Sequence, residues 1–185
     1  MSWKLIPGKM LLLVMLLSGC DSSQCMKDYY TTNQNSLILL RNLSDSLAEN
    51  YDFQKVTIRE KGGELELMFH GGSRNNVTMY LDTADLSLLT EHSVEGCSAE
   101  ALQRFRTMYQ NNDLRQILHL FNSIEPNAIK MTHKGVFVSL GQPLKHKNKA
   151  ELEGGILMTF AAGFTDQDIV EEIGTNVYLY DTLVY

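Results

Sequence analysis

The sequence is poor in the local signatures of chemistry. Its five histidines, at 70, 92, 119, 133 and 146, lie far apart. No His-x-His, His-x-x-x-His or His-Glu-x-x-His occurs, so a zinc site has no local support and no cofactor is expected. Neither a phosphate loop nor a dinucleotide fingerprint is present, and "GCSAE" at 96–100 lacks the second glycine of a nucleophile elbow. The sequence therefore nominates no catalytic residue. Acidic pairs such as Glu64/Glu66 and Glu171-Glu172 would serve acid–base work only where the surroundings shift a pKa, which sequence does not specify.

Long apolar runs are missing too. "MLLLVMLL" (10–17) and "GGILMTFAAGF" (154–164) both fall short of the ~20 residues a membrane-crossing helix needs. Positive charge is scarce, with 16 Lys and Arg against 22 Asp and Glu and a net charge of −6. That balance argues against nucleic acid as a partner and against a head lying flat on an anionic membrane. The one basic cluster, "PLKHKNK" at 143–149, has no aromatic platform beside it and reads as a solvated loop.

The N-terminus, in contrast, is informative. Lys4 and Lys9 precede the apolar run, and Ser18 and Gly19 supply small side chains directly before Cys20. A positive start, a short apolar centre and small residues at the exit describe a secretory signal peptide. Leu17-Ser18-Gly19-Cys20 further resembles the lipobox of bacterial lipoproteins. The resemblance covers only about the first 20 residues. It implies a diacylglycerol on the Cys20 thiol, cleavage after Gly19, and acylation of the new amino group. Several acyl chains make a firm anchor in the lipid bilayer, where one alone binds marginally. Asp21 resembles the inner-membrane retention signal of enterobacteria-like lipoproteins, which favours the inner membrane with the domain in the periplasm; the outer membrane is the alternative.

The expected organisation is a cleaved signal peptide over 1–19, a lipidated tether over 20–27 and a single periplasmic domain over 28–185. Cleavage leaves 166 residues. It also removes Lys4 and Lys9 but no acid, which moves the net charge from −6 to −8. With Cys20 assigned to lipid, Cys25 and Cys97 form an even pair in a compartment that permits disulfides, and are expected to bond.

Along the mature chain, 28–51 has helical periodicity, with Leu39, Leu43 and Leu47 repeating at four beside Leu40 and Tyr51. "KVTIRE", "ELELMFH" and "VTMYLD" alternate between Gly-rich turns and predict an antiparallel meander with one wet face. The stretch 82–96 reads either as a short helix or as a loop. Ser98 is placed as an N-cap, with apolar spacing through Phe105 and Met108, and a second helix uses Leu114, Ile117, Leu118, Phe121 and Ile124. "AIKMTHKGVFVSLG" predicts a hairpin turned at Lys134-Gly135, "GGILMTFAAGF" a buried strand, "TDQDIVEEI" a short helix and "NVYLYDTLVY" a closing strand. The sum is an α+β domain, an antiparallel sheet of about six to seven strands with helices packed on it.

Three functions fit this reading: a non-enzymatic module that binds an envelope protein (an inhibitor, immunity-type factor or accessory subunit), a lipid or small-ligand carrier, and a hydrolase whose residues meet only in the fold.

Overall fold

The computed structural model of the protein describes residues 22–72, 74–141, 152–163, 165–166 and 168–183. The chain runs α1 (Ser22–Asn50), β1 (Lys55–Lys61), β2 (Glu64–His70), β3 (Asn76–Asp82), β4 (Leu88–Ser93), α2 (Ala99–Gln110), α3 (Asn112–Ile124), β5 (Ala128–Thr132), β6 (Gly135–Gly141), β7 (Leu152–Thr159), β8 (Ile169–Gly174) and β9 (Val177–Leu183). The strands form one sheet in the order β4-β3-β2-β1-β5-β6-β7-β9-β8, antiparallel at every pairing. The first meander steps outward from β1 to the β4 edge. After two helices the chain returns to the centre, pairs β5 with β1, and steps the other way; β9 then inserts between β7 and β8.

The register sorts the side chains into two faces. On one face lie Val77, Met79 and Leu81, then Phe69, Leu67 and Leu65, then Val56 and Ile58. The row continues through Met131 and Ile129, Val136 and Val138, Met158 and Ile156, and Val177 and Leu179. All of these are buried in one core with the apolar sides of the three helices. Phe105 of α2 stacks on Phe69, ring centroids 5.0 Å apart. Tyr29 of α1 donates its hydroxyl to the Ile124 carbonyl at the end of α3, 2.8 Å away. Burial, then Glu125, pushes the Tyr29 phenol well above its ordinary pKa, so it stays a donor.

Local chemistry fixes the helix ends. Ser98 caps α2, its Oγ accepting from the Ala101 amide at 3.1 Å. Asn111 closes α2 through its own N–H and caps α3 through its side chain, while Glu125 ends α3 in the left-handed conformation at φ 49°. In α1 the buried positions are Met26, Leu37, Leu40, Ser44 and Leu47. Leu39, expected on that stripe, is 43% exposed.

Four further expectations are corrected. The sheet has nine strands rather than six to seven. Both additions are edges: β4 lies in the ambiguous 82–96 stretch, and β8 replaces the short helix expected from "TDQDIVEEI". Neither edge strand has a buried face, so neither carries a clean period-two signal. Ser22 to Lys27, expected as part of a polar tether, form the first turns of α1. The hairpin between β5 and β6 turns on His133-Lys134, and Gly135 is already in the strand. Gly135 is required by close approach instead: a Cβ there would lie 2.5 Å from the Met158 carbonyl oxygen.

Candidate functional site

The second face of the sheet is different in kind. Phe137, Tyr178 and Ala128 are buried on it but stand apart from the core cluster beneath the helices. No helix packs on it among the described residues. Two polar ladders run across its strands.

The first ladder lies toward the β4 edge. Arg59 Nε donates to Glu66 Oε2 in a close ion pair, and Tyr80 Oη donates to Glu66 Oε1 at 3.0 Å. Tyr80 in turn meets His92 edge to face, centroids 5.8 Å apart. Burial alone would raise the Glu66 pKa, but the hydrogen bonds from Arg59 and Tyr80 outweigh it and hold the carboxyl below its ordinary 4.5. The sign of the pH dependence follows. A depressed folded-state pKa gives stability that is present above 4.5 and lost as pH falls through the folded value. Glu66→Gln should cost about 1–3 kcal/mol at pH 7, and its deficit against the wild type should narrow below pH 4.5. Urea unfolding at both pH values measures this; an equal deficit at each would refute it.

The second ladder is central. Lys130 Nζ pairs closely with Glu153 Oε1, Ser139 Oγ donates to Glu153 Oε2 at 2.5 Å, and Lys130 lies 5.9 Å from the Phe137 ring centroid. Phe137 meets Tyr180 edge to face at 6.0 Å. Within this cluster Ser139 is fully buried and donates to a carboxylate already bound to lysine. Beside it, Lys55 and His70 face each other across β1 and β2. Burial, then the charge of Lys130, holds the Lys55 ammonium below its ordinary pKa. Burial, then Lys55, likewise lowers the His70 imidazole, against a raising hydrogen bond with Asn76.

At the β4 edge a groove of about 420 Å³ opens against α2, lined by Met79, Leu88, Glu91, Arg106, Tyr109 and Gln110. Arg106 closes one side through a two-toothed pair with Glu91, at 3.1 and 2.7 Å. Leu88, Leu89 and Val94 are exposed along this edge.

The residues nominated from sequence do not converge. Cys20 lies outside the described residues, as does the basic cluster at 143–149. Cys97 is a free thiol, so the expected Cys25–Cys97 bridge is not formed. Cys25 sits in the first turns of α1, the end that Lys27 ties to Glu171 of β8 at 2.7 Å. Cys97 lies beside Ser98, whose amide donates to Asn75, near the far end of α1, where the Gln54 amide donates to the His70 carbonyl. The 29-residue helix between those ends is about 43 Å long at 1.5 Å per residue, whereas a disulfide needs Cα atoms within about 7 Å.

The histidines are equally dispersed. His70 and His92 lie on β2 and β4 of the helix-free face, His119 is exposed on α3, and His133 stacks on Phe53 at 4.9 Å. Among the described residues no three His, Cys, Asp or Glu side chains come together as metal ligands, and no described helix is long and apolar enough to cross a membrane.

Sequence reading placed Arg59, Glu64 and Glu66 outward, yet it missed the Lys130–Ser139–Glu153 cluster. The sequence separation of 23 between Lys130 and Glu153 leaves no local pattern, and only the β5-β6-β7 pairing brings them together. No family model, curated protein or solved structure matches the chain.

Proposed function

We propose that this protein is a bacterial envelope lipoprotein, acylated on Cys20, whose periplasmic head is a non-enzymatic module that binds another protein through the helix-free face of its sheet. The observation that carries the reading is the asymmetry of that sheet. One face is sealed under three helices, while the other presents Arg59, Tyr80 and His92 in a row. Arginine and tyrosine are enriched where proteins bind one another. The lipobox resemblance supplies the anchor, and Asp21 favours the inner membrane. An inhibitor, an immunity-type factor and an accessory subunit of an envelope complex all fit this description. The carrier reading needs an apolar cavity under the sheet, and that space is occupied by Leu67, Phe69, Phe105, Ile117 and their neighbours.

Two substitutions test the proposal in cells. Cys20→Ser should abolish metabolic labelling with palmitate; undiminished labelling overturns the anchor. A photo-crosslinking residue at His92 should trap one discrete protein, and the same residue at Asn42, on the exposed side of α1, should not. Equal trapping at both positions, or none at His92, would remove the helix-free face as the docking surface.

A further inference from the structure

The sheet ends in two open edges, and they are finished differently. β8 has register shifts at Ile169/Glu171 and at Glu172/Gly174, carries both glutamates, and is tied to α1 through Lys27. Bulges and charges of this kind blunt an edge against further pairing. β4, with the sequence LLTEHS, has neither proline nor lysine and one register shift, beside Leu81 at its first end. Leu88, Leu89 and Val94 stand exposed along it.

The register also places the outward backbone groups of β4. The Val94 amide donates to the Asn76 carbonyl at 3.1 Å. Antiparallel pairs alternate between bonded and unbonded, so His92 and Thr90 turn their N–H and C=O toward β3, whereas Ser93 and Glu91 turn theirs to the open edge. Beside that edge, on the helix side, lies the groove walled by Met79, Leu88 and Tyr109. Tyr109 is held in place by its hydroxyl, which donates to the Leu86 carbonyl at 2.9 Å. An open strand edge next to an apolar groove suits an added strand: main-chain hydrogen bonds give affinity, and the groove selects one of the alternate side chains.

Charge indicates what that strand carries. Asp82, Asp85, Glu91, Glu95 and Glu100 fall in a stretch that has no Lys or Arg. Arg106, paired with Glu91, and Arg74, beside Gly96, offset two of these five acids. Glu95 and Glu100 are exposed and belong to none of the ion pairs among the described residues. We propose that the β4 edge docks an extended segment of another protein, apolar at its centre and flanked by Lys or Arg. The segment pairs with the main chain of Glu91 and Ser93, sets one apolar side chain into the groove, and brings its basic residues to the acidic rim, where complementary charge fixes register. This goes beyond the partner-binding proposal and does not depend on it, because the edge offers main-chain groups and the helix-side groove rather than the outward row of Arg59, Tyr80 and His92.

The test titrates the full chain in detergent with a fluorescent peptide, Lys-Thr-Val-Thr-Leu-Thr-Lys, read by anisotropy. Two control peptides carry glutamate in place of lysine, or N-methyl groups on alternate residues that block pairing. Saturable binding of the first is expected, with each control at least tenfold weaker. Amide exchange followed by NMR should slow at Glu91 and Ser93 when the peptide is added, and stay unchanged at Glu171 and Glu172 of β8. Ser93→Pro removes an outward N–H without breaking a bond to β3; it should weaken binding tenfold or more at a melting temperature near that of the wild type. Leu88→Lys, at an exposed position, should weaken it as well, and carries the test if Ser93→Pro fails to fold. No saturable binding of the lysine peptide, equal affinity for the glutamate peptide, or unchanged affinity in the folded variants would overturn the proposal. Protection of Ser93 that rises with protein concentration in the absence of peptide would overturn it too, by showing that a second copy of this chain occupies the edge.

Discussion

Replacing Glu153 with alanine is expected to cost the fold about 3–5 kcal/mol, the penalty for stranding one member of a buried ion pair. Lys130 and Glu153 side chains are only 9% and 14% exposed, so the lysine left behind has little water to turn to. The same substitution removes the acceptor of the Ser139 hydroxyl, leaving a second buried polar group without its partner. A domain of this size is typically stable by about 5–15 kcal/mol, so the loss should be plain as a shift of the urea midpoint at an unchanged slope. The double variant Lys130→Met/Glu153→Leu should recover much of it, since a well-packed apolar pair often replaces a buried salt bridge without penalty. A single-variant loss below about 1 kcal/mol, the range of exposed pairs, would show that the pair behaves as a surface one.

The second large effect is expected at Phe105. Its ring is fully buried, stacks on Phe69 at an interplanar angle of 15°, and lies against Gly71, where an added Cβ would come within 2.7 Å of the Phe105 Cζ. Phe105→Ala should cost about 3–5 kcal/mol through lost burial and the cavity left behind. Because Phe105 joins α2 to the first meander, amide hydrogen exchange should accelerate in α2 and the β2 end before it does in β7 and β9. Phe105→Leu, which keeps most of the apolar volume, should retain most of the stability. Uniform acceleration of exchange across the whole sheet would instead show that the two meanders open as one unit.

What sequence revealed and what it hid divide along one physical line, whether an element has a buried face. β1, β2 and β3 alternate cleanly because one side of each faces the helices, and they were legible to within a residue. The Ser98 cap and all five buried positions of α3 were legible for the same reason. β4 and β8 pair on one side only and bury almost nothing, so their composition gave no period and two strands were missed. On α1, Leu39 and Leu43 fit a four-residue repeat on paper, but the helix turns Leu37 and Leu40 to the core and leaves Leu39 in water. The candidate site was harder still. The outward side of β1 and β2 was readable, whereas the closeness of Lys130, Ser139 and Glu153 depends on strand order that no local pattern encodes.

The start of α1 at Ser22 carries a mechanical consequence. If Cys20 is acylated, as proposed, the described part of α1 begins two residues after the lipidated position. On that proposal the head would stand on a short stem, with α1 as its post. Lys27 and β8 stand at its foot, and the β1 start and Ser98 stand about 40 Å higher at 1.5 Å per helical residue. A post so placed would sweep little of the periplasm in search of a target. It would search by sliding laterally in the membrane plane, and would meet those partners that present their docking surface at its own fixed height above the bilayer.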